Sequence, residues 1–68
     1  MKPHELRLAQ EHARAARHLR NLNSFVEDKS RFPFLDTQQR NLILEQIDAL
    51  ERYVKVLEKR LKLLNIPI

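Results

Sequence analysis

Seven apolar residues constrain the second half of the chain more than anything else in it. Ile43, Ile47, Leu50, Val54, Leu57, Leu61 and Leu64 recur at intervals of 4, 3, 4, 3, 4 and 3. At 3.6 residues per turn that alternation keeps one narrow stripe on a helix for more than three heptads, whereas a strand, with its period of two, would scatter the same residues over both faces. Asp48 and Arg52, Glu51 and Lys55, and Glu58 and Lys62 stand four apart on the opposite side with the acid first. Each such pair stabilises a solvated helix face by about 0.3 kcal/mol.

A second stripe precedes the first. Leu8, His12, Ala15, Leu19, Leu22 and Val26 follow at 4, 3, 4, 3 and 4, and Ala9 and Ala16 beside them leave a small-residue surface that a neighbouring helix can approach closely. The chain has no Gly, and its three Pro stand at 3, 33 and 67, so helices have few places to stop. Pro3 suits a first helical turn and Glu5 complements its positive end. Between the stripes lies DKSRFPFLD, residues 28–36, where Pro33 turns Phe32 away from helical dihedrals and Phe32, Phe34 and Leu35 supply apolar mass to plug the end of a hairpin. Asp36 followed by Gln39 has capping-box spacing. Asn65 and Pro67 end the second helix and leave an apolar tail, Ile66-Pro67-Ile68. The expectation is all-α: a helix over about 4–29, an elbow over about 30–36 and a helix over about 37–64, folded back as an antiparallel hairpin.

Such a hairpin needs one seam, yet the second helix carries a further apolar line, Leu42, Ala49, Val56 and Leu63, seven residues apart. A 68-residue chain buries only about 60% of its unfolded surface, and without Cys no disulfide can help it. Together these predict self-association, most simply a homodimer forming a four-helix bundle, with the extra line covered by the second copy. Gln46, Tyr53 and Arg60 run between line and seam. They can hydrogen-bond along the bundle edge, the favoured reading, or grip an anionic or planar ligand, with Arg as a fork and Tyr as a plate.

The net charge is +4, and most of the excess falls in residues 1–31, which hold seven Lys and Arg against four Asp and Glu. Arg7, Arg14, Arg17 and Arg20 carry it. They could follow a phosphate backbone, but Glu5 and Glu11 interrupt them and no short recognition helix is apparent, so a solvated face is favoured over nucleic-acid binding. His4, His12 and His18 lack the spacing of a helical metal site, His12 reading as a packed seam residue. No nucleophile with a patterned base, no carboxylate pair on an apolar face and no Gly-rich phosphate loop is present, so neither catalysis nor a cofactor is expected. No run approaches the roughly 20 apolar residues of a membrane span. The chain therefore reads as soluble and cytoplasmic.

Leu22, Phe25, Val26, Phe32, Leu35, Leu42, Ile43, Gln46, Leu50, Tyr53, Val56, Leu57, Arg60 and Leu61 together resemble a family of small phage and prophage helical-hairpin proteins encoded among early accessory genes. Similar hairpins occur in phage anti-defence sponges that sequester cyclic nucleotide messengers. The resemblance implies a self-associating helical hairpin acting in the cytoplasm of a bacterial host. Three functions follow in order of preference: binding a host macromolecule, most simply a host protein; sequestering a cyclic nucleotide, for which Tyr53, Arg60 and the first helix's arginines are the motive; and weak DNA binding through Arg14, Arg17 and Arg20.

Overall fold

A computed structural model describes residues 2–67. Among them are two long helices and no strand: α1 over Pro3–Glu27 and α2 over Thr37–Leu63, joined by a 3-10 turn at Phe32–Phe34. The helices pack antiparallel along their length into a rod of 45 × 17 × 15 Å.

The core lies where the two stripes meet. Leu8 and Ala15 of α1 pack with Val54, Leu57 and Leu61 of α2, while Ile47 is buried nearer the elbow. Leu57 and Leu61 are each 1% exposed, the two most enclosed large side chains. Leu19, Leu22, Val26, Ile43 and Leu50 are half-buried along the same seam. His12 sits among them and its Nε2 donates to Glu58 Oε2 at 3.1 Å, tying the helices together at mid-length. Glu58 is thus spent across the hairpin rather than on Lys62. Of the three expected i to i+4 pairs, the one that closes among the described residues is Asp48 with Arg52, at 2.8 Å.

α1 stops at Glu27, two residues earlier than the stripe suggested, because Asp28 builds the elbow. Its carboxylate accepts from the Ser30 backbone N–H at 2.9 Å, the Ser30 hydroxyl at 2.5 Å and Arg31 Nε at 2.8 Å. Its carbonyl accepts from the backbone of Arg31 and Phe32. The Phe25 and Phe32 rings meet edge to face at 6.2 Å, and the Arg31 guanidinium lies 5.1 Å from the Phe25 centroid. Phe32 and Leu35 do plug the hairpin, but Phe34 is 82% exposed: the 3-10 turn around Pro33 sends successive aromatics to opposite sides. Asp36 caps α2, accepting from Gln39 N–H at 2.8 Å.

The far end of α2 corrects the seam. Leu64 is 42% exposed and does not close on α1. Asn65 takes φ 57°, and the N–H groups of Asn65 and Ile66 bond back to the carbonyls of Lys62 and Leu61, a Schellman turn that carries Ile66 onto the core in place of Leu64. Of the apolar tail, Ile68 lies outside the described residues.

Leu57→Ala should cost about 2–5 kcal/mol in urea unfolding, since the two helices leave nothing to refill the space. Phe34→Ala should change stability by less than about 0.5 kcal/mol. The elbow makes a second prediction, on acid. The Ser30 hydrogen bonds and then Arg31 hold the Asp28 carboxyl down at about 2 against an ordinary 3.8. A depressed carboxyl stabilises the fold above its unfolded pKa and loses that contribution as pH falls. The wild type should therefore lose more thermal stability between about pH 4 and pH 2 than Asp28→Ala does.

Candidate anion-binding cleft

One row of α1 sits a single residue behind the buried stripe. Arg7, Glu11, Arg14 and His18 precede Leu8, His12, Ala15 and Leu19, so they share the seam's 4, 3, 4 spacing and line one lip of the interhelical groove. Across from them α2 presents Leu50 and Tyr53. Ala15 forms the floor, and because its side chain is a single methyl the groove deepens there into a cleft of about 510 Å³, open to solvent along one side.

The cleft is polar at its lip and apolar at its base. The Tyr53 hydroxyl donates to a Glu11 carboxylate oxygen across the groove. Two guanidiniums face one carboxylate, so the site keeps a positive excess. Arg7 and Arg14 stand seven residues apart on one face, about 10 Å along the axis. They can each fork onto an oxyanion while the Tyr53 face receives a planar group. Glu11, an acceptor only, offers its free lone pairs to N–H donors.

The structure divides the residues that the sequence grouped together. Tyr53 and Arg14 meet in this cleft. Arg17 turns away and, with Gln10 and Ala13, borders a shallow depression that Arg14 also touches. Arg20 is exposed and lines neither. Arg60 lies at the open end of the hairpin, in a hollow with His4, Leu8, Leu63 and Leu64, apart from the cleft that Tyr53 lines. Gln46 is exposed and outside the cleft. Arg7, Glu11 and His18 join the site although only Arg7 figured among the sequence candidates, as part of the charge count. Their signal was the one-residue offset from the buried stripe.

Among the described residues no three His, Asp or Glu gather as metal ligands, and no helix is long and apolar enough to cross a membrane. Over residues 2–63, which include the whole of both helices, the chain matches the Sequestin family. The chain belongs to that family. No curated protein and no solved structure matches it. The Sequestin match includes the entire cleft, from Arg7 to Tyr53.

Proposed function

We propose that this Sequestin-family chain is a non-enzymatic, self-associating sponge that holds a small phosphate-bearing nucleotide, of the cyclic signalling kind, in the cleft between α1 and α2. The observation that carries the reading is the placement of Arg7 and Arg14 opposite Tyr53 over a small-residue floor. A nucleotide presents what each group wants: phosphate oxygens for the guanidiniums, a π face for the phenol and base N–H groups for Glu11. Inorganic phosphate satisfies only the first and is repelled by Glu11. The family name points the same way, toward sequestering a ligand or partner.

Two guanidiniums and a phenol converging on one solvent-open groove suit a small anionic ligand, the reading taken here ahead of the host macromolecule that the sequence put first. The biological setting is the bacterial cytoplasm during phage infection, where removing a nucleotide messenger disarms a defence without chemistry. The cleft groups suit holding rather than turnover: guanidiniums, a phenol and a carboxylate already engaged to it.

A thermal-shift panel of cyclic di- and trinucleotides tests the reading. A ligand at about a hundredfold over its Kd adds roughly 2.7 kcal/mol to a native state that alone binds it, raising Tm by several degrees in a domain this small. Arg14→Ala should weaken that ligand by about ten- to a hundredfold, the loss of charge-assisted hydrogen bonds to phosphate. Mass spectrometry of the released ligand should find it unaltered. A flat panel contradicts nucleotide sequestration, and a converted ligand contradicts the non-enzymatic part.

A further inference from the structure

The outer face of α1, turned directly away from α2, is basic and carries no acid along its middle. Going round the helix at 100° per residue, Arg17 stands about 180° from the buried stripe, with Arg14 about 60° to one side of it and Arg20 about 60° to the other. All three are exposed. Gln10, Asn21 and Ser24 stand within about 40° of Arg17, are exposed as well, and each offers a hydrogen-bond donor.

The carboxylates that interrupt the basic run in the sequence are not on this face. Glu11 sits on the lip of the cleft and accepts from the Tyr53 hydroxyl. Glu5 is half-buried and about 120° round from Arg17. From His12 to Val26 the helix has no Asp or Glu at all. Among the described residues the ion pairs are His12 with Glu58, Arg31 with Asp28 and Arg52 with Asp48, so none of the three arginines is neutralised within the hairpin.

From this arrangement we infer that the outer face of α1 is a second binding surface, distinct from the cleft, and that its partner is duplex DNA met at the major groove. The charge calls for a polyanion, and the shape of the face selects which. A single strand is held by stacking its bases on aromatic rings. Phe25, the one Phe, Tyr or Trp of α1, is taken up with Phe32 and Arg31 at the elbow. A flat acidic protein surface would touch the middle of the arginine fan and leave its ends in water. The major groove of A-form RNA is too narrow for side chains to read, whereas that of B-form DNA, about 12 Å wide, admits one helix. A helix lying there meets phosphates on both walls, which Arg14 and Arg20 reach from either side, and turns Arg17 toward the floor with Gln10 and Asn21 beside it. The shallow depression bordered by Gln10, Ala13, Arg14 and Arg17 lets one wall come close, because Ala13 puts only a methyl there.

Fluorescence anisotropy with a labelled duplex of about 20 base pairs, at about 50 mM salt, tests this separately from nucleotide binding. Log K against log salt should fall with a slope of about −1.8 or steeper, two phosphates at about −0.9 each, and Arg20→Ala should remove about 0.9 of it. Arg17→Glu should weaken binding at least about tenfold, while Lys55→Glu on α2, the same change in net charge, should keep it within about threefold. Circular dichroism should show wild-type helix in both, since both residues are exposed. A single-stranded oligonucleotide and polyglutamate, at equal charge, should each compete at least about tenfold less well than unlabelled duplex. No binding, equal losses from Arg17→Glu and Lys55→Glu, or equal competition by the single strand or by polyglutamate would each overturn the inference. Arg17 and Arg20 lie outside the cleft, so their variants should leave the thermal-shift panel unchanged, and a flat panel leaves the duplex reading standing.

Discussion

The fold depends on Leu57 and Leu61 being driven between the helices against Leu8 and Ala15. Each buried leucine contributes about 1.5–3 kcal/mol, and with six buried residues among those described the hairpin has few such contributions to spare. Everything else follows from holding that contact in register. His12 and Glu58 lock the helices at mid-length, Asp28 ends α1 where the chain must turn, and the Asn65 turn returns Ile66 to close the far end. Ala15 has two roles. Its small side chain lets α2 come close, and it also leaves the floor of the cleft low.

The cleft is therefore a by-product of the packing that makes the hairpin. A stripe of period 4, 3, 4 that turns Leu8, His12, Ala15 and Leu19 toward α2 necessarily places the residues one step earlier along the lip of the groove. Here those residues are Arg7, Glu11, Arg14 and His18, and Tyr53 answers them from α2. Binding groups carried on two helices locked by a common core need little further ordering when a ligand arrives, which favours affinity. The Sequestin match runs over both helices and so takes in both walls of the groove.

The hairpin was legible in the sequence because apolar periodicity is a local property of the chain. Leu8, Ala15, Ile47, Val54, Leu57 and Leu61 are buried as their spacing required, and Asp36 caps α2 as its position suggested. Leu64 fits the stripe equally well, yet it is exposed, because one left-handed residue at Asn65 brings Ile66 into its place. Stripe counting does not see a turn that competes for the same slot. Phe34 departs for a related reason: the turn at Pro33, not hydrophobicity, decides which aromatic of the elbow points inward. The cleft was only half legible. Grouping by charge puts Arg14 with Arg17 and Arg20, whereas grouping by helical face puts it with Arg7, Glu11 and His18, and the second grouping is the one that lines the interhelical cleft.

The central claim is that these particular side chains hold a phosphate-bearing nucleotide. A nuclear magnetic resonance titration with cyclic di-AMP and its relatives, following the arginine Nε–H and the Tyr53 ring signals, tests it most directly. The expected result is saturable shifts at Arg7, Arg14 and Tyr53, with Arg17 and Arg20 unmoved. Shifts centred on Arg17, Arg20 or Arg60, or none with any of these ligands, would contradict it.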